Sequence, residues 1–239
     1  CAARKAEWAA FKATRFNAPP LHDDVWQRAV LTQPQAVHIT DQFCREHGAI
    51  KFFDAGDVQA NGFQIVEDDR PGETYTESGA SYMGFAVSAL LASGLAEQGR
   101  YAVAFTGDGS FTMNPQVLID GVEHGVHATI VLFDNRRMAA ISQLQVAQYG
   151  QDYRTSDAVR VDYVQMANAV TGVKALWGGD DAAALRKALE EAHAHPRLSL
   201  VHVPVYYGPD PLGGMGAYGS WNVGNWCAEV QQKYAATKI

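Results

Sequence analysis

Three short apolar runs, residues 50–53 (IKFF), 100–106 (RYAVAFT) and 129–133 (TIVLF), each break off into a polar turn, and sequence of helical period lies between them. A short apolar run closed by Asp or Gly suits a buried strand opening into a loop. Strands separated by helices imply a parallel sheet, because a parallel neighbour needs a crossover connection. Helices are expected over residues 34–47, 84–96, 115–125, 157–171 and 181–193. The first has Pro34 near its start and Val37, Thr40, Phe43 and Cys44 on one side; the last has Asp180 or Asp181 near its N-cap. Residues 84–96 are small and apolar all round, which predicts a buried helix. Residues 157–171 carry Val161, Val164, Met166, Ala167 and Val170 at helical spacing. Further strands are expected over 173–176 and 198–205, and a loop over 57–78, which is rich in Gly, Asp and Glu.

The expected fold class is therefore α/β, a doubly wound parallel sheet forming a single domain over residues 34–207. An N-terminal segment, 1–33, leads into it, with a break at Asn17-Ala18-Pro19-Pro20. A tail, 208–239, follows; its Trp221 and Trp226 suit docking onto another surface as well as a strap over its own domain. With 239 residues, 47% of them hydrophobic, the chain can bury one sizeable core. A net charge of -7 argues against nucleic-acid or anionic-membrane partners. Cys1, Cys44 and Cys227 are far apart, which suggests neither a disulfide framework nor a zinc site and fits a cytoplasmic protein. No apolar stretch approaches the roughly 20 residues of a membrane span.

In such a sheet, ligands sit outside the carboxyl ends of the strands. The loops leaving those ends begin at Asp54, Gly107 and Asp134. In Gly107-Asp108-Gly109-Ser110, the glycines permit close approach of backbone to an anion, and the Gly109 and Ser110 amides and the Ser110 hydroxyl can donate to phosphate oxygens. Asp108 would repel a bare diphosphate, so its presence asks for a bridging cation. Asn135 follows 27 residues later at the end of the next strand. Asp108, Asn135, a backbone carbonyl just beyond and two phosphate oxygens would make most of the octahedron that Mg²⁺ prefers.

This pairing of GDG with a later Asn resembles the fingerprint of thiamine diphosphate-dependent enzymes. The run GDGSFTMNPQVLIDGVEHGVHATIVLFDNRRMAAISQLQ is similar to the matching segment of acetolactate synthases, and more so to that of the trihydroxycyclohexanedione hydrolases. The resemblance covers about residues 34 to 205. Ser220-Trp221 and Ala228-Glu229-Val230 also resemble the hydrolase terminus. It implies that Asp108 and Asn135 give side-chain oxygens to Mg²⁺, that Arg137 gives its backbone carbonyl, and that Gly107, Gly109 and Ser110 hold the diphosphate. Residues 78–85 (SGASYMGF) are similar to the family segment ending in MGF. Met83 would then be the wedge that bends the cofactor, Ser81 would offer its carbonyl to the aminopyrimidine, and Met138 joins the cofactor-binding set on the same match. The loop from Asp54 to Gln59 departs from the acetolactate synthase pattern: Asp57 and Val58 replace two phosphate-facing donors, so contacts there are confined to the backbone of Gly56 and Asp57. Arg136 and Arg137 could bind an anion or be solvated.

The eight histidines show no metal-ligand spacing such as HExxH, and none is given a catalytic role. The family's activating glutamate lies on a second, pyrimidine-binding domain of about 150 to 190 residues, for which this chain has no room. No catalytic residue is therefore expected in this chain. It would be a subunit of a split enzyme, at least α₂β₂, or the C-terminal part of a longer polypeptide. The split arrangement is the favoured expectation. The implied chemistry makes or breaks a C–C bond next to a carbonyl: 2-oxo acid decarboxylation, carboligation, or hydrolysis of a cyclic 1,2-diketone. The competing expectation is a non-catalytic, cofactor-binding regulatory module. A nucleotide-binding Rossmann domain would need GxGxxG after the first strand, and none occurs there.

Overall fold

The computed structural model describes residues 2–77, 79–96 and 99–208; Ser78 and the tail beyond Gly208 lie outside the described residues. The chain runs through α1 (Ala2–Phe16), β1 (Leu21–Asp23), β2 (Arg28–Val30), α2 (Gln33–Glu46), β3 (Ile50–Phe53), α3 (Asp57–Ile65), β4 (Thr74–Thr76), α4 (Phe85–Leu95), β5 (Ala102–Gly107), α5 (Asp108–Phe111), α6 (Val117–Glu123), β6 (Ala128–Asp134), α7 (Ala139–Tyr149), α8 (Tyr163–Asn168), β7 (Lys174–Trp177), α9 (Ala182–His193) and β8 (Ser199–Pro204). Six strands form one parallel sheet in the order β4-β3-β5-β6-β8-β7, and β1 and β2 pair separately as an antiparallel hairpin.

Strand side chains alternate between two apolar layers, as the twofold strand period requires. Val103, Phe105, Val131, Phe133, Val201 and Val203 pack under α2, α3 and α9. Ala102, Ala104, Ile130, Leu132 and Leu200 pack under α4, α6 and α8 on the other face. The doubly wound α/β expectation holds. All seven residues of β6 are buried, which is why its sequence reads as an unbroken apolar run rather than an alternation. The hairpin is tied to the carboxyl end of β8: Leu31 bridges to Val205, and the Trp26 indole donates to the Val205 carbonyl at 3.2 Å.

Three local expectations need correction. The stretch 57–78 is not all loop. It contains α3, which buries Val58, Gly62 and Ile65 on one narrow stripe, and the edge strand β4. Gly62 is required there, since a Cβ would lie 2.5 Å from the Phe53 ring. Helix α4 is not buried all round: Ala86, Val87, Leu90 and Ser93 face inward, while Leu95 is 66% exposed. The helix expected over 157–171 shortens to α8, capped by the Asp162 carboxylate accepting the Gln165 N–H at 2.9 Å.

The chain leaves β3 towards β4 through α3 on one face, then returns to β5 through α4 on the other. Strand order therefore reverses direction between β3 and β5, and the loops leaving their carboxyl ends diverge around a crevice. Those loops begin at Asp54 and Asp108.

Candidate active site

That crevice is a cleft of about 850 Å³, within the usual range for ligand sites of roughly 300–1,000 Å³. Gly56, Asp57, Ser81, Met83, Gly107, Asp108, Gly109, Ser110, Asn135, Arg137 and Met138 all line it. The residues that the resemblance assigns to the cofactor thus line one cleft, while Arg136 is not among its lining residues. The floor is aromatic: the Phe53 and Phe105 rings stack 4.2 Å apart, Phe105 continues to Phe133 at 5.9 Å, and Phe133 reaches the cleft.

Register places Gly107 opposite Phe133 on β6, so Asp108 and Asn135 leave neighbouring strand ends. Both are buried. Burial first, and then the carboxylates of Asp134 and Asp157, push the Asp108 carboxyl up to about 9. Close-packed carboxylates of this kind are a site that a divalent cation would relieve. The donors suit a hard one: the Asn135 Oδ1 accepts the Arg137 N–H at 3.1 Å and the Arg137 carbonyl accepts the Ala139 N–H at 2.9 Å, which leaves each oxygen a second lone pair. The residues present therefore fit Mg²⁺.

The surroundings suit an anion beside that cation. Among the described residues, no side chain caps α3, α4 or α5, whose N-cap residues are Gly56, Gly84 and Gly107. Uncapped first-turn amides carry partial positive charge. Asp57, at the start of α3, is the contrary element. Burial pushes its carboxyl up to about 6, against the opposing pull of Arg137. With the Gln33 amide turned so that its nitrogen faces this carboxyl, it donates at 2.9 Å and also resists the rise.

Met83 lies against the GDG turn: its methyl carbon is 3.2 Å from where a Cβ on Gly109 would stand. The backbone that delivers it is unusual. Ser81 has φ +57° and Gly84 φ +90°, a left-handed conformation that glycine adopts freely. The Glu77 carboxylate ties the same loop down by accepting the Gly79 N–H at 2.7 Å and the Ala80 N–H at 3.0 Å.

Neither arginine is simply solvated. The Arg137 guanidinium pairs with Asp152 at 2.8 Å, bonds to Ser142 and lies over the Tyr207 ring at 5.1 Å. Arg136 has φ +53° and donates to the Asp157 carbonyl at 3.4 Å.

Several groups in or beside the cleft carried little signal in the sequence. Helix α7 supplies Ala139, Ala140, Ile141 and Leu144 to one wall. Its apolar residues face the cleft rather than the core, with Ile141 43% exposed, so no strong periodicity marks it. Asp54 is fully buried and holds the Met83-Gly84 turn; an acid ending an apolar strand was its only signal. Asp157 sits 49 residues beyond Asp108, with no local signal at all.

Comparison with known proteins agrees with this geometry. The model of the thiamine pyrophosphate enzyme C-terminal TPP binding domain matches residues 54–203. A 3D-(3,5/4)-trihydroxycyclohexane-1,2-dione hydrolase of Listeria monocytogenes serotype 4b (strain F2365) is 28% identical over 258 residues, covering 97% of this chain and 39% of that protein. One from Lacticaseibacillus casei is 33% identical over 156 residues, covering 63% and 23%. The chain thus spans well under half the length of the curated relatives it matches. Among solved structures, the benzoylformate decarboxylase of Polynucleobacter necessarius superposes with a TM-score of 0.67 at 20% identity, over 81% of this chain and 36% of that one. The thiamine diphosphate-dependent 4-hydroxybenzoylformate decarboxylase of Rhodococcus jostii RHA1 gives 0.67 at 17%, over 75% and 33%. With a match over residues 54–203 and the cleft those residues build, this chain belongs to the thiamine pyrophosphate enzyme family and carries its C-terminal TPP-binding domain.

Proposed function

We propose that this chain is the diphosphate- and Mg²⁺-binding part of a thiamine diphosphate-dependent enzyme that makes or breaks a C–C bond next to a carbonyl. The observation that carries the reading is the convergence of buried Asp108 and Asn135 with the uncapped turn at Gly107 on one cleft. When bound, the cofactor would supply a nucleophilic carbon and a cationic ring that stabilises the electron pair left by the broken bond. The chain's own residues bind and orient. Asp108, Asn135 and the Arg137 carbonyl hold Mg²⁺. The backbone of Gly56, Asp57, Gly107 and Gly109, with Ser110, holds the diphosphate. Met83 would support the cofactor, Ser81 would offer it a backbone carbonyl, and Met138 would close the wall.

The activating glutamate comes from a pyrimidine-binding domain, on a partner chain or elsewhere in a longer polypeptide. A rim of exposed apolar side chains, Trp8, Phe63, Met138 and Ile141, suits burial against such a domain. Among the reactions open to this chemistry, hydrolytic opening of a cyclic 1,2-diketone is favoured by the names of the curated relatives. The test is thiamine diphosphate binding with and without Mg²⁺, in the protein isolated with its native partner. Asp108→Ala should weaken Mg²⁺-dependent binding by about 100-fold or more, equivalent to about 2.7 kcal/mol. Undiminished binding in that variant would overturn the site. A partner lacking a carboxylate at the aminopyrimidine would overturn the enzymatic reading and leave a regulatory module.

A further inference from the structure

At the opposite end of the sheet, where β5 and β6 begin, the fold gathers a second polar cluster. We propose that His47, Glu190 and His193 form a binding site for Zn²⁺ or a similar borderline divalent cation, distinct from the cofactor cleft. His47 is the C-cap of α2, and Glu190 and His193 lie one turn apart near the end of α9. Residues three apart share a helix face, so both point at His47. One ligand atom from each lies within 4.8 Å of the other two.

The distances suit a transition metal. Zn–N and Zn–O bonds of about 2.0–2.2 Å at tetrahedral angles set ligand atoms roughly 3.3–3.5 Å apart. The His47 Nε2 already stands 3.3 Å from the Glu190 Oε2. Only His193 must approach, by roughly 1.5 Å at most. The other Glu190 oxygen is engaged: Oε1 accepts from the Arg186 Nε at 3.1 Å, which fixes the carboxylate and leaves Oε2 facing the site.

The electrostatics agree. The His47 and His193 rings lie 4.4 Å apart, and His127 stacks on His193 at 5.7 Å. Burial, then His47 and His127, hold the His193 imidazole below its usual range, against Glu190. A neutral ring with a free lone pair is the form that binds metal. Two imidazoles and one carboxylate select a borderline cation over Mg²⁺ and leave a fourth position for water. The site joins the ends of α2 and α9, so occupancy would stabilise the fold by mass action.

The test uses the protein isolated with its native partner, stripped with a chelator, saturated with thiamine diphosphate and Mg²⁺, and titrated with ZnCl₂ by calorimetry and by thermal unfolding. One Zn²⁺ per chain with a saturable rise in Tm is expected. His193→Ala and Glu190→Gln should each weaken Zn²⁺ binding about tenfold or more and remove the rise in Tm, while thiamine diphosphate binding stays unchanged. Glu190→Gln carries the test alone if His193→Ala does not fold. Absence of a Tm rise in the parent protein, or Zn²⁺ binding of undiminished affinity in Glu190→Gln, would overturn the site. Because thiamine diphosphate binding is followed in the same samples, failure here is separable from failure of the cofactor assignment.

Discussion

The Asp54 Oδ1 accepts the Gly84 N–H at 2.7 Å, which fastens the end of β3 to the turn that carries Met83. The other carboxylate oxygen accepts the Thr106 hydroxyl at 2.8 Å, one residue before the GDG turn. One fully buried side chain thereby fixes three of the segments that border the cleft. Asp54→Ala strands the Gly84 amide and the Thr106 hydroxyl, and should cost about 2–4 kcal/mol in chemical denaturation. Asp54→Asn keeps an acceptor for Gly84 and can donate to Thr106, whose proton then turns to the Gly107 carbonyl, already 3.3 Å away. It should cost about 1 kcal/mol. Equal losses in the two variants would show that this bonding does not hold the loops.

Gly109 and Met83 should prove coupled. A Cβ at 109 meets the Met83 methyl at 3.2 Å, a flexible end that can yield only by moving within the cleft. Gly109→Ala is expected to weaken thiamine diphosphate binding with little loss of stability. In a double-mutant cycle with Met83→Ala, the effects on binding should be less than additive by about 0.5–1 kcal/mol. Strict additivity would mean that the two do not press on one another.

Gly62→Ala tests why α3 lies where it does. The new methyl would sit 2.5 Å from the Phe53 Cε1 and 3.2 Å from its Cζ, in a ring already stacked on Phe105. Overpacking of this kind costs about 1–3 kcal/mol. Far-ultraviolet and near-ultraviolet circular dichroism with urea unfolding would measure it, and a midpoint equal to that of the parent would refute the close approach.

The contribution of His38 to stability should fall on mild acidification, opposite in sign to that of Asp57; the His38 ring stacks on Phe16 at 3.7 Å and joins α1 to α2. Burial, then Lys12, lower its pKa from the ordinary 6.5, while Glu67 opposes. The folded protein thus binds this proton less tightly than the unfolded chain does. The contribution is fully present above pH 6.5 and is lost as pH falls through 6.5 towards the lower folded-state value. His38→Gln should flatten the Tm profile over that window, and an unchanged slope would assign the acid sensitivity to other groups.

The GDG turn, Asn135 27 residues on, and the apolar runs before each were legible in the chain. They are local signals: strand ends, turn chemistry and a spacing set by one crossover. Helix α7 was not legible, because its apolar side chains line the cleft instead of packing into a layer. Helix α3 was hidden behind Gly, Asn and Gln, its three buried positions too few to show a period.

What the sequence determined by itself is the alternation of the main strands with helices and the identity of the turn residues, since both follow from propensity and periodicity over a few neighbours. Only the tertiary structure decided which turns meet. The reversal of strand order between β3 and β5 opens the crevice, the pairing of β5 with β6 sets Asp134 near Asp108, and the packing of α2 against α9 brings His47 to Glu190 across 143 residues. Those juxtapositions arise from crossover connections and from apolar layers closing over the sheet, forces that no local run of residues records.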